Sequence, residues 1–249
     1  MSGHSKWAQI KRQKGVNDAK KGQLFTKLGR EITIAARSGV PDPNANFRLR
    51  LAVVKAHEAN MPADNIDRAR KRAAGMGDGA SIEELSYEGY GPGGAALIVQ
   101  VATDNRNRAA SDVRNAFTRG GGNLGEAGCV AWLFEPRGVI VVEAGKADPD
   151  EIALSAIDAG ADDVQTDDGS VEIYTDPHSL EPVRRQLEDR KLKITSSEST
   201  MLPKTSLYLG DDEAMKLLRL MDRLEELDDV QRVYTNVEFS NDILEKYEA

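Results

Sequence analysis

Three histidines, one cysteine and one cluster of aspartates are the residues of this 249-residue chain whose types could bind a metal or move a proton. His4, His57 and His178 lie in separate segments, with no i, i+4 partner and no second cysteine nearby. Neither a zinc site nor a Ser-His-Asp arrangement follows from that spacing. Asp162, Asp163, Asp167 and Asp168 crowd one expected hairpin, but off the spacing of a calcium loop, and they read as a solvated turn. Cys129 opens an apolar run, where a buried structural thiol is the ordinary expectation. Alone it closes no internal disulfide, which fits a reducing compartment. The segment GYGPGG at 89–94 matches G-x-G-x-x-G letter for letter. It precedes a strand instead of opening a helix, and Pro92 removes a donor, so it reads as a tight turn and not as a dinucleotide fingerprint. The expectation is a protein that is not an enzyme, with no cofactor, no metal and no catalytic set.

The cations tell more. The stretch MSGHSKWAQIKRQKG holds Lys6, Lys11, Arg12 and Lys14 around Trp7 and no acid at all. Charge beside an aromatic suits phosphate contacts with base stacking. A solvated tail and a Trp7 packed on the helices are the competing readings. Lys20, Lys27, Arg30 and Arg37 follow at spacings of 7, 3 and 7, on one side of an expected helix. Arg48, Arg50, Arg70 and Arg72 form a second line of nucleic-acid-binding candidates. In TDNRNR, Arg106 and Arg108 fall in the first turn of a helix, where cations oppose the macrodipole. Either an anion or partner docks there, or nearby acids hold them; the second is the plainer reading.

The formal net charge of −8 hides this asymmetry. Residues 1–75 carry 16 Lys or Arg against 6 Asp or Glu, whereas residues 76–249 carry 17 against 35. A basic module on an acidic body is the footprint of a protein that meets a polyanion at one end. No run approaches the roughly eighteen apolar residues of a membrane span, and the basic start lacks the apolar region of a signal peptide. A cytoplasmic protein with no membrane partner is expected.

The elements that must position these cations change period along the chain. Leu24, Phe25, Leu28, Ile32, Ala35 and Ala36 recur at helical spacing between Asp18 and Arg37, with Ile34 intruding on the basic side. A second helix is expected from about Phe47 to Ala59. A third opens at Pro62 and stops at Gly75. Beyond the linker GMGDGAS, strand 95–104, a helix and strand 129–135 make one β-α-β unit; TSLYLGD, a helix and VQRVYTNVEF make another. Between them, residues 138–198 read β-α-β-β-α-β, the ferredoxin-like order. The fold class expected is therefore α+β: an N-terminal three-helix domain (1–78) and two ferredoxin-like α/β domains. One of these (135–202) is inserted into the other, which is split into 79–134 and 203–249.

MSGHSKWAQIKRQKG, FTKLGREITIAARSG, NFRLRLAVVKAHEANMPADNI, YEGYGPGG, TDNRNR and GGNLGEAGCV, in this order, resemble the YebC/PmpR family, which includes a mitochondrial translational activator of cytochrome c oxidase. The resemblance spans essentially the whole chain; Cys129 stands where it implies a serine. It implies a helical N-terminal domain, two α/β domains and a non-enzymatic regulator of gene expression, most often described as a DNA-binding transcriptional regulator. Two other readings stay open here: a ribosome-associated, RNA-binding translational activator, and a small-ligand enzyme in the inter-domain cleft. The expected partner is nucleic acid, DNA or ribosomal RNA, with the acidic domains available to a protein partner.

Overall fold

The computed structural model describes residues 18–73, 81–145, 147–167 and 169–248. Three helices come first: α1 (Asp18–Arg37), α2 (Phe47–Glu58) and α3 (Ala63–Ala73). Leu28, Ile32, Ala35 and Ala36 of α1 bury against Leu49, Ala52 and Ala56 of α2 and Ile66 and Ala69 of α3, with Leu24 and Phe25 packed at the margin. The apolar stripe read in the sequence is thus one wall of a small shared core. Asn46 fixes the corner between the first two helices. Its side-chain oxygen accepts from Leu49 N at 3.0 Å, capping α2, while its amide donates to Ala35 O at 2.7 Å and Val40 O at 3.0 Å.

Two four-stranded antiparallel sheets and five more helices follow, so the protein is α+β. The first sheet contains β1 (Glu83–Tyr90), β2 (Ala96–Thr103), β3 (Asn123–Leu124) and β8 (Val230–Thr235), in the order β3-β1-β2-β8. One face is covered by α4 (Arg106–Arg119) and α7 (Asp211–Glu225), which bury Val113 and Phe117 beside Leu217, Leu220, Met221 and Leu224. The second sheet contains β4 (Phe134–Glu143), β5 (Asp163–Asp167), β6 (Ser170–Thr175) and β7 (Lys193–Pro203). Its order, β5-β6-β4-β7, is the ferredoxin-like order. Helices α5 (Pro149–Asp158) and α6 (Leu180–Asp189) cover it through Ile152, Ala156, Leu180, Val183 and Leu187. A last helix, α8 (Asn241–Glu248), packs on the first sheet's core through Ile243 and Leu244.

The first sheet is assembled differently from the two β-α-β units read in the sequence. Cys129–Glu135 is not a strand there. Ala131–Leu133 forms a 3-10 turn, and β4 begins only at Phe134. The cause is Glu88, whose buried carboxylate accepts from Gly128 N, Val130 N and Ala131 N at 2.7–2.9 Å, taking donors that a strand would have used in a ladder. TSLYLGD contributes a single bridge, Leu207 to Val237. The places of both segments are taken by β1, paired with β2 along its whole length from Glu83–Thr103 to Tyr90–Ala96, and by the two-residue β3.

Candidate nucleic-acid interface

Around Lys27 and Arg30 the basic side of α1 does not face open solvent. It lies across the end of the first sheet. The Lys27 ammonium donates to Glu225 O and the Arg30 guanidinium to Asp228 O; Arg30 also pairs with the Asp229 carboxylate at 2.8 Å. Asp229 accepts Arg108 from α4 at 2.9 Å and the Thr103 hydroxyl at 2.9 Å. Arg108 in turn holds Asp104 at 2.8 Å, and that bond keeps the Asp104 carboxyl below the usual carboxylate range. Arg106 meets Glu83 at 3.6 Å. The acids at the α4 N-terminus thus engage both arginines, which relieves their unfavourable position on the helix dipole.

A second junction joins all three parts of the protein. Lys55 of α2 lies 3.3 Å from Glu31 of α1 and 3.9 Å from Glu198 of β7, and Arg232 of β8 lies 3.1 Å from Glu198 and 4.0 Å from Glu31. Burial pushes the Glu31 carboxyl up, but Lys55 and Arg232 outweigh it and hold it below its ordinary value. Burial lowers the Lys55 ammonium, as does Arg232, more than its two glutamates raise it. The network orients the helical module against both sheets; it is a weaker source of net stability, because desolvation opposes each charge.

Other cations of the module are similarly committed. Arg37 donates to Ser81 Oγ at 3.1 Å and Ile82 O at 3.4 Å. Arg48 forms a two-pronged pair with Glu84. Arg50 donates to Pro43 O at 3.0 Å and pairs with Glu181 of α6 at 3.1 Å, while Phe47 packs against the second sheet's core under the guanidinium of Arg184. Arg70 reaches Pro41 O at 3.3 Å and Asp67 at 3.5 Å. Arg72 is exposed and has no ion pair among the described residues. Arg68 and Lys71 share its face of α3 and its exposure. The sequence reading passed over both, although the spacing 68, 71, 72 marks one helical face. Lys6, Trp7, Lys11, Arg12 and Lys14, and the side chain of Lys20, lie outside the described residues.

The other chemistry-bearing residues are not brought together. His57 and His178 are exposed on different elements, and among the described residues no group of His, Cys, Asp and Glu could hold a metal ion. Burial, with Glu88 nearby, pushes the Cys129 thiol up, away from a reactive thiolate. A cavity of about 380 Å³ along the second sheet is lined by Glu135, Arg137, Asp162, Tyr174 and, from outside that sheet, Ser206 and Glu238. Glu135 and Asp162 are engaged by Arg137 at 2.9 and 2.7 Å, and Glu238 by Ser206 and Tyr208. No described helix is long and apolar enough to cross a membrane.

Residues 5–76 match the model of the TACO1/YebC protein N-terminal domain, and residues 82–237 that of the TACO1/YebC second and third domain. The chain is 53% identical over 249 residues to a probable transcriptional regulatory protein of Dehalococcoides mccartyi, covering all of this chain and 99% of that one. It is 55% identical to one from Roseiflexus castenholzii over 252 residues, covering 99% of each. A conserved hypothetical protein of Aquifex aeolicus, solved by crystallography, shares 46% identity and superposes with a TM-score of 0.84 over 95% of this chain and 98% of its own.

Proposed function

Because this chain belongs to the TACO1/YebC family, we propose that it is a non-enzymatic, cytoplasmic regulator of gene expression that binds nucleic acid through residues 1–75. The observation that carries this reading is the exposed row Arg68, Lys71 and Arg72 on α3, without acid partners among the described residues, on a module with 16 basic residues against 6 acidic ones. Lys6, Lys11, Arg12, Lys14 and Lys20 add phosphate contacts and Trp7 a stacking surface. Lys27, Arg30, Arg37, Arg48 and Arg50 set the angle at which the module is presented, while Arg70 is held within it by Pro41 and Asp67. A phosphate reaching them must compete with the partners they already have. We further propose that residues 1–78, 79–134 with 203–249, and 135–202 act as three domains, and that the acidic ones discourage indiscriminate coating of nucleic acid or receive a protein partner.

The relatives' name favours DNA as the ligand. Anisotropy titrations of the full chain against a DNA duplex and an RNA of equal length, between about 50 and 200 mM salt, test the proposal. Log affinity should fall steeply with log salt, by about 0.9 per phosphate contact on duplex DNA. Absence of binding to either probe at low salt overturns the reading. Tighter binding to the RNA overturns its DNA part and turns the assignment toward translation.

A further inference from the structure

We propose that the acidic body carries a second contact for the sugar–phosphate backbone, on the helical layer formed by α4 and α7; this rests on the nucleic-acid reading above. The two helices pack side by side on one face of the first sheet and share its core through Val113, Phe117, Leu217 and Leu220; α8 meets α7 at Asp211 and Asp222, and the residues named next are exposed. Along the crest of α4, Asn107, Ser111 and Asn115 follow at four-residue spacing, all exposed, with Arg114 on one flank and Arg119 on the other. On α7, Lys216 and Arg223 are exposed two turns apart.

None of these four cations has an ion pair among the described residues, nor has Arg219 between Lys216 and Arg223, in a body where 17 basic residues face 35 acidic ones. In that surplus of carboxylates, Arg106, Arg108, Arg137, Arg184, Arg185, Lys193, Arg232 and Lys246 have found one; of the eight described cations of the body that have not, five lie on α4 and α7, the others being Arg190, Lys191 and Lys204. Acids do occur on the layer. Asp112 is exposed on α4, and Asp211, Asp212, Glu213, Asp222 and Glu225 lie on α7 with Glu226 at its end, but none reaches these four cations at ion-pair distance. Neutral donors and acceptors along a crest, flanked by cations left available, match a phosphodiester strand, where phosphates position and side-chain amides and hydroxyls add hydrogen bonds. A protein partner of an acidic surface would instead be basic, and these four charges would repel it.

The test is a set of charge reversals in the full chain, read by salt-dependent anisotropy on the probe that binds more tightly. Arg114→Glu with Arg119→Glu, and Lys216→Glu with Arg223→Glu, should each reduce the magnitude of the slope by about 1.8 on a duplex, two contacts at about 0.9. The conservative pair Arg114→Lys with Arg119→Lys should retain it. Each variant's melting temperature is recorded, and the neutral pair Arg114→Gln with Arg119→Gln replaces the reversal if that one unfolds. A parallel variant, Lys71→Glu with Arg72→Glu, separates the two claims. If it lowers the slope while the α4 and α7 variants match the unaltered chain, the second contact is overturned and the first stands. If only the α4 and α7 variants lower it, the second contact stands and the α3 row is overturned. A full chain that binds no nucleic acid overturns both.

Discussion

Arg30 and Asp229 meet at 2.8 Å, and through this pair the helical module is fastened to the first sheet. Asp229 is only 9% exposed at its side chain, and it also receives Arg108 and Thr103. Removing one carboxylate therefore leaves two guanidinium groups and a hydroxyl facing one another.

That arrangement makes Asp229→Ala a severe substitution. Breaking a buried ion pair by deleting one partner costs about 3 kcal/mol, mostly from the charge left behind. Urea unfolding should show a loss of that size, with Arg30→Ala costing less because Asp229 keeps Arg108. A loss below about 0.5 kcal/mol for Asp229→Ala, the level of an ordinary surface change, would show that the pair fastens nothing.

Glu88 sets an acid limit on the fold. Burial raises its carboxyl, but the backbone N–H groups of Gly128, Val130 and Ala131 outweigh burial and hold it below 4.5. A carboxyl depressed in the folded state contributes stability that is complete above its unfolded value and lost as pH falls through the folded one. Glu31 and Asp104 are depressed as well, so the losses coincide. Unfolding free energy should be flat near neutrality and drop below about pH 4.5. Glu88→Gln should lower stability at pH 7 by about 2 kcal/mol, the scale of charge-assisted hydrogen bonds, and reduce the acid-dependent part. An unchanged pH profile in that variant would assign the acid loss elsewhere.

Much of this architecture can be read from local pattern. The spacing of Leu28, Ile32, Ala35 and Ala36 reveals α1 because all four bury on one stripe. Alternating elements between 138 and 198 yield the ferredoxin-like order because β4 and β6 are apolar enough to stand out, while the polar β5 and β7 are placed by the helices and the turn beside them. Ile34 misleads a little: it lies on the basic side of α1 and is nevertheless buried, because that side is covered by the body. β1 is hidden for a different reason. EELSYEGY carries three glutamates and a glycine, the composition of a turn, yet Glu88 is buried by bonds to a loop forty residues away. The candidate site fails to declare itself by the same mechanism. Nothing near Arg30 or Arg50 in sequence announces Asp229 or Glu181, so long-range ion pairs make positioning cations look like free ones.

The corner at Asn46 is a local feature with a measurable cost. Its side chain caps α2 and holds two carbonyls, one at the end of α1 and one in the loop that follows. Replacing an Asn cap by Ala costs about 1 kcal/mol, and here two further bonds are lost, so Asn46→Ala should cost about 2 kcal/mol in chemical denaturation. Asn46→Asp keeps the cap but not the donors, and should fall between the two. Equal stability of Asn46→Asp and Asn46→Ala would mean that the cap contributes little.

Cations that fasten the fold and cations that meet a partner differ in what their reversal changes. Arg30→Glu places a carboxylate against Asp229 and the Asp228 carbonyl, so it should lower the melting temperature by several degrees, since about 1 kcal/mol moves a domain of this size by about 2–4 °C. Arg68, Lys71 and Arg72 touch no acid of the body, except that Arg68 and Lys71 follow Asp64 and Asp67 by one turn on the same helix. Reversing Lys71 and Arg72 should leave the melting temperature within about 2 °C, as surface changes do, while reducing the salt slope of nucleic-acid binding by about 1.8 on a duplex. The two measurements are made on the same samples. If Arg30→Glu weakened binding without shifting the melt, Arg30 would have to be moved from the fastening cations to those that touch phosphate. If the α3 reversal shifted the melt and left binding intact, the exposed row would be structural and the polyanion contact would lie on the segment that precedes α1.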